Sequence, residues 1–311
     1  MIKGTYLSAD NKTDVVYYVF EPKDKENIKG VVQISHGMQD YILRYKHLIE
    51  FLNEHGYVVC GNDALGHGYT TKEQRDKGFF ADKNGYKLVL SDLYTMTKIA
   101  KKMYKDVPHV LLGHSMGSFF ARYYAYMFPN EIDGLILCGT SGKVAGTGFA
   151  IKLLGVIKTF KGAKSPCKLA EKIMTSKYFK YVDNVETGKE WVTSDPARLK
   201  SYENDDIRGY QFKTGGYIDM LKVLKFVNSK KWAKGINKKL PIALYSGSHD
   251  PVGDYGKGVS WVYGLLETQK VEDLYLKLYP KARHELHNEK TKTRNEFLTD
   301  ITMWLEDKLE K

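Results

Sequence analysis

Cysteine is scarce in this chain: only Cys60, Cys138 and Cys167 occur among 311 residues. The count is odd and the spacing is not that of a metal site, which argues against a disulfide framework and against bound zinc. Cys60 and Cys138 end short apolar runs and read as small buried hydrophobes. No run of 18 apolar residues occurs, so no membrane-crossing helix is expected. The opening residues, Met1-Ile2-Lys3-Gly4-Thr5-Tyr6, lack the apolar stretch of a signal peptide. These absences lead to the expectation of a reducing, cytoplasmic setting. Repeats, low-complexity tracts and long flexible linkers are missing too. What remains is an ordinary globular composition, 42% hydrophobic and 27% charged, in a chain long enough to bury a large core.

Acidic residues are also in deficit, 37 against 48 basic ones, for a net charge of +11. The deficit is local. Residues 142–235 hold 19 Lys+Arg and 9 Asp+Glu, which accounts for +10 of the total.

The first third alternates apolar runs with amphipathic stretches. Val15 to Phe20, Val31 to Ile34, Tyr57 to Cys60, Val110 to Leu112 and Gly134 to Cys138 read as strands. Arg44 to His55, Leu88 to Tyr104 and Ser118 to Phe128 carry apolar residues at helical spacing. Continuous apolar strands separated by helices imply a mostly parallel sheet covered on both faces. The rhythm stops at Gly142, and to Gly235 only helix-like segments follow: Phe149 to Phe160, Lys168 to Tyr181 and Tyr217 to Val227. It resumes with a strand at Pro241 to Tyr245, a helix at Val259 to Thr268, a strand at Leu274 to Tyr279 and a last helix at Asn288 to Leu309. The expected organisation is an α/β core from 1–141 and 236–311, interrupted by a helical cap at 142–235.

Gly113-His114-Ser115-Met116-Gly117 stands between the strand at 110–112 and the following helix. A serine there, with glycine two residues to either side, has the G-x-S-x-G form of a nucleophile elbow. A strand turning at once into a helix crowds the serine backbone, and only very small neighbours leave room. A serine hydroxyl needs a base to take its proton, and the base needs a third group to orient it. On this kind of sheet those partners follow in the order acid, then histidine. Asp250 lies just past the strand at 241–245, and His284 on the loop after 274–279. Asp254 is the rival acid. His249 and His287 read as surface or supporting residues, His36, His67 and His114 as supporting ones, and Asp63 as the organiser of its loop. His284-Glu285-Leu286-His287 lacks the one-turn histidine separation of a zinc helix, so no metal or cofactor is expected.

His36-Gly37-Met38-Gln39 with Arg44-Tyr45, the stretch from Asp63 to Gly68, Gly113 to Gly117, Gly247 to Asp250 and His284-Glu285 resemble the monoacylglycerol lipase and lysophospholipase branch of the α/β-hydrolases, which includes relatives named serine aminopeptidases. Trp191-Val192-Thr193-Ser194-Asp195-Pro196 resembles a segment of that family's cap. The resemblance implies an α/β-hydrolase fold, a triad of Ser115, Asp250 and His284, and an oxyanion hole from the backbone N–H groups of Met38 and Met116. It implies a serine esterase acting on monoacylglycerol or lysophospholipid through an acyl-enzyme. Two departures stand out: Ser118 where the family often has glycine, and Gln39-Asp40-Tyr41 where it usually shows a Gly-Glu-His type sequence. A short-chain carboxylesterase, an aminopeptidase and a non-catalytic ligand-binding relative remain as alternatives. The basic insertion has two readings, a solvated lysine-rich surface or a lid meeting anionic membrane lipid through Lys152, Lys158 and Lys161. Nucleic acid is not an expected partner.

Overall fold

The computed structural model describes residues 1–309. Eight strands form one sheet in the order β1-β2-β4-β3-β5-β6-β7-β8. They are β1 (Ile2–Leu7), β2 (Asp14–Phe20), β3 (Gly30–Ser35), β4 (Tyr57–Asn62), β5 (His109–His114), β6 (Gly134–Cys138), β7 (Ile242–Gly247) and β8 (Leu274–Tyr279). From β4 onward in that order all neighbours are parallel, while β1 and β2 run antiparallel at one edge. The seven strands read from the sequence are all present. β1 is additional: its residues are exposed or half-buried, so no apolar run announces it. Its backbone pairs with β2, from Ile2 opposite Val19 to Leu7 opposite Asp14, and Tyr6 Oη donates to the Asp92 carbonyl at 2.7 Å.

Among the described residues ten α-helices follow in chain order: α1 (Lys46–Glu54), α2 (Gly85–Met103), α3 (Met116–Met127), α4 (Thr147–Lys161), α5 (Lys168–Thr175), α6 (Pro196–Glu203), α7 (Thr214–Val227), α8 (Lys230–Gly235), α9 (Lys257–Glu267) and α10 (Thr291–Leu309). Strand side chains alternate between two layers. Leu111, Leu135, Leu137, Ile242 and Leu244 face the layer of α2, α3, α7 and α9. Val110, Leu112, Ile136, Cys138, Ala243 and Tyr245 face α1 and α10. This two-sided burial is why the central strands read as unbroken apolar runs.

The proposed cap, 142–235, contributes to two places. Helices α7 and α8 lie in the flanking layer: α7 is buried along most of its length, and Trp232 of α8 is fully buried. Arg122 of α3 anchors them. Its guanidinium lies over the Trp232 ring at 4.4 Å and donates to the carbonyls of Ser141 (3.1 Å) and Val227, joining the start of the insertion to its return. The stretch before α7 turns toward the C-terminal ends of the strands. Lys168 to Tyr181 is helical only to Thr175. Helix α6, absent from the sequence reading, has its signal in Asp195-Pro196: Asp195 caps by accepting from Ala197 and Arg198, with proline in the first turn.

Candidate active site

Ser115 sits between β5 and α3 with φ 54° and ψ −125°, in the region that non-glycine residues rarely enter. The surrounding packing enforces it. A side chain at Gly117 would run into the carbonyl oxygen of Ser35, and one at Gly113 would come within 2.6 Å of the Gly117 oxygen and the Ser118 Cα. Ser118, in place of the family's frequent glycine, is fully buried and donates its hydroxyl to the Ser115 carbonyl at 2.6 Å. Met116 opens α3, where the first N–H groups have no partner within the helix and carry the positive end of its dipole.

The loop after β3 lies against this turn, since a Cβ on Gly37 would meet Ser115 Cβ at 3.2 Å. Its shape is set by hydrogen bonds. His36 Nε2 accepts from Ala64 N–H at 2.9 Å, so its Nδ1 carries the proton and donates to the Gly37 carbonyl at 2.8 Å. Gly37 N–H reaches both Asp40 Oδ2 and Tyr45 Oη at 3.3 Å. Gln39 adopts φ 55° and donates to the Tyr210 carbonyl. Met38, between these two fixed residues, is half-buried.

Asp250 is fully buried at the end of β7. Its Oδ1 lies 2.9 Å from His284 Nδ1 and accepts Val252 N–H at 2.9 Å, while Oδ2 accepts from Ser246 Oγ at 3.2 Å. Burial opposes protonation of His284, but the charge and hydrogen bond of Asp250 outweigh it and raise its pKa above the ordinary value. The ring rests on the backbone of Gly139, where an added Cβ would come within 2.9 Å of its Cε1. The residue before Gly139, Cys138, accepts the Ser115 N–H at 2.9 Å. Ser115, Asp250 and His284 therefore follow the C-terminal ends of the parallel strands β5, β7 and β8, with Cys138-Gly139 after β6 touching both Ser115 and His284, where open α/β sheets place their sites. The rival Asp254 is exposed, at the far end of its turn.

The other histidines singled out in the sequence are held by their neighbours. His114 lies between Tyr45 Oη (3.0 Å) and the His284 carbonyl (3.3 Å), and burial pushes its pKa down to about 4. His287 stacks on Tyr45 at 4.5 Å, and burial pushes it down to about 3. His67 Nδ1–H donates to the Leu65 carbonyl (3.0 Å), and His249 stacks on Tyr181 at 4.2 Å. Asp63 accepts the N–H groups of Ile42 and Tyr69, both at 2.9 Å, and so does organise its loop.

An ionic cluster that spacing did not announce lies beneath the site. Arg44 bonds Asp40 Oδ1 at 2.7 Å and Glu285 through both oxygens at 3.0 and 2.8 Å. Burial alone would raise the Glu285 carboxyl, but Arg44 and then Arg208 outweigh it and hold it far below the usual range. Residues of the insertion lie against these groups. Trp191 lies 5.2 Å from the His284 ring with Tyr178 at 4.7 Å behind it, and Glu285 N–H donates to the Val192 carbonyl at 2.8 Å. Arg208 Cζ stands 3.3 Å from the Tyr202 ring centre.

The profile of the family described as serine aminopeptidase, S33, matches residues 26–291. A monoacylglycerol lipase of Mycolicibacterium smegmatis is 25% identical over 294 residues, 94% of this chain and 92% of that protein. A monoglyceride lipase of Rattus norvegicus is 25% identical over 288 residues, covering 90% of this chain and 84% of its own. Among solved structures, a thermostable carboxyl esterase from Bacillus coagulans in complex with glycerol superposes with a TM-score of 0.91 at 30% identity, over 99% of this chain and 98% of that one. A monoglyceride lipase from Saccharomyces cerevisiae superposes at 0.79 with 21% identity, over 99% and 95% of the two chains, which speaks for the fold. The expected architecture, a mostly parallel sheet flanked by helices, is the one observed.

Proposed function

For a chain that belongs to the serine aminopeptidase S33 family, in the monoglyceride lipase group of the α/β-hydrolases, and is thus a hydrolase of esters, we propose that the substrate is a monoacyl lipid cleaved through an acyl-enzyme. Ser115 Oγ attacks the ester carbonyl and His284 takes its proton. Asp250 holds the imidazole with Nδ1–H toward itself, which leaves Nε2 free to act as the base. The N–H groups of Met38 and Met116 stabilise the oxyanion. His284 then returns the proton to the departing alcohol, and water, activated by the same base, releases the fatty acid.

The observation that carries this reading is the 2.9 Å contact from His284 Nδ1 to buried Asp250, beside a serine in the strained elbow conformation. The lipid substrate is supported by the names of the relatives and by the apolar cap helix. Helix α4 buries Leu154 yet leaves Phe149, Val156 and Phe160 exposed by 73, 56 and 84%. An aminopeptidase would need a cap carboxylate for a substrate ammonium. Residues 142–235 hold 19 basic residues against 9 acidic ones, which weighs against that alternative.

A fluorophosphonate probe should label the protein once, on Ser115. Ser115→Ala should lose both labelling and hydrolysis of a panel spanning p-nitrophenyl esters, monoacylglycerol and lysophosphatidylcholine. Labelling elsewhere, or activity persisting in the variant, would sink the mechanism.

A further inference from the structure

A groove of about 480 Å3 lies on the seam between the cap and the loop that follows β7. Lys177, Lys180 and Tyr181 form its cap side, and Asp254, Tyr255 and Lys257 its core side. Asp250, with its bond to His284, precedes this core side by a few residues, so the groove backs onto the acid loop without belonging to the site over Ser115.

The aromatic wall is built rather than loose. The Tyr181 and Tyr255 rings meet edge to face at 5.0 Å, and Tyr255 Oη donates to the Lys177 carbonyl. Lys180 Nζ lies 4.8 Å from the Tyr181 ring centre and 5.3 Å from that of Tyr255, so its ammonium is placed by both π-faces. On the core side, Asp254 and Tyr255 hold φ of 48° and 56°, a backbone that packing must impose on non-glycine residues.

Charge is unbalanced here. Among the described residues no carboxylate pairs with Lys177, Lys180 or Lys257, and Asp254 is the one acid in the walls. Three like charges sharing a concave surface repel one another, and an anion with more than one charge relieves that repulsion best. The volume is far more than a bare anion fills and falls within the range of small-molecule sites, about 300–1,000 Å3.

We propose that this groove binds a phosphate-bearing molecule, its phosphate held by Lys177, Lys180 and Lys257 and its organic part lying against Tyr181 and Tyr255. Occupancy joins the cap at 177–181 to the loop that starts at Asp250, whose carbonyl accepts Tyr255 N–H at 2.8 Å. The site is therefore placed to hold the cap down. The phosphate has two sources, a soluble phosphate ester or a lipid headgroup, and nothing in the proposal depends on the ester chemistry at Ser115.

Calorimetric titration with glycerol 3-phosphate and with inorganic phosphate, at constant chloride-set ionic strength, tests the soluble source. Sedimentation with phosphatidylcholine vesicles, with and without phosphatidic acid, tests the lipid one. Saturable binding of at least one phosphate probe is expected. It should weaken about tenfold or more in Lys177→Gln/Lys180→Gln/Lys257→Gln, a loss of 1.4 kcal/mol or more. Asp254→Asn should tighten it, because the one repelling carboxylate is removed. Ser115→Ala should bind as the wild type does, which separates this site from the catalytic one. Binding to phosphatidic acid vesicles that Lys177→Gln/Lys180→Gln/Lys257→Gln weakens, without binding of glycerol 3-phosphate, would assign the site to lipid. No saturable binding of any probe, or equal binding by the triple variant, would overturn the proposal.

Discussion

Arg44 holds Glu285 through two parallel hydrogen bonds, Nη1 to Oε1 at 3.0 Å and Nη2 to Oε2 at 2.8 Å. The pair joins the loop that shapes Gly37 to the residue next to His284. Arg44 also grips Asp40, whose Oδ2 is in reach of Gly37 N–H and Tyr45 Oη. One guanidinium thus sets the relative position of the proposed base and the proposed oxyanion loop. Arg44→Met leaves two buried carboxylates with one cation fewer. The expected cost is about 3–5 kcal/mol of stability, with kcat falling more than KM rises. Denaturant melts and steady-state kinetics check this, and an unchanged midpoint would remove Arg44 from the framework.

Both carboxylates of this cluster are held below the usual range. Asp40 is raised by burial but lowered further by Arg44, and Glu285 follows the same pattern. A depressed folded-state pKa contributes stability that is present above the unfolded value, about 4, and is lost as pH falls through the folded value. The protein should therefore lose stability progressively below about pH 4. Glu285→Gln should flatten that acid limb, as read by melts taken across pH.

For the proposed catalytic pair of Asp250 and His284 the pH effect on activity has the opposite direction. The His284 pKa is raised, so the neutral base prevails only above the ordinary histidine range. The acid limb of kcat/KM should have its midpoint above about 6.5 and fall tenfold per unit below it. Asp250→Asn removes the charge that raises the value. It should move the limb to lower pH and reduce kcat by several orders of magnitude, whereas Asp254→Asn should stay within about tenfold. Greater damage from the Asp254 variant would reassign the acid.

Gly117 tests the elbow itself. A Cβ there collides with the backbone carbonyl of Ser35, which no rotamer change relieves. Gly117→Ala should cost at least about 1–3 kcal/mol, together with most of the activity, because β3 and the loop at His36-Gly37 must shift. Near-normal kinetics would mean the elbow tolerates a displacement that its packing does not suggest.

If the proposed cap docks on lipid, α4 is the element that would carry it. Lys152 and Lys161 are exposed on this helix, as are Phe149, Val156 and Phe160, while Lys158 is half-buried and donates to the Asp82 carbonyl. With about 1 kcal/mol for each lysine near an anionic surface, Lys152→Gln/Lys158→Gln/Lys161→Gln should weaken vesicle binding by up to roughly two decades. Added salt should weaken the wild type likewise, while a soluble short ester is turned over unchanged. Equal, salt-insensitive co-sedimentation of both proteins would leave the lysines as a solvated surface.

Whatever depends on a few neighbouring residues was legible in the chain alone. Seven strands, the elbow at Ser115, and the succession of Asp250 and His284 on later loops follow from apolar period and local backbone sterics, which act within a turn or a strand. β1 was not legible because its exposed residues leave no apolar run, and pairing with β2 supplies what its own side chains do not. Tertiary structure alone decided that Arg44 finds Glu285 from 241 positions away. It also sent α7 and α8 into the flanking layer while Trp191 and Arg208 came over the site. Those outcomes turn on which loops the sheet order brings to one edge, and on where a buried charge or a large ring finds a partner. Sequence spacing does not encode such meetings, because the free energy that selects them exists only once the surrounding surfaces have excluded water.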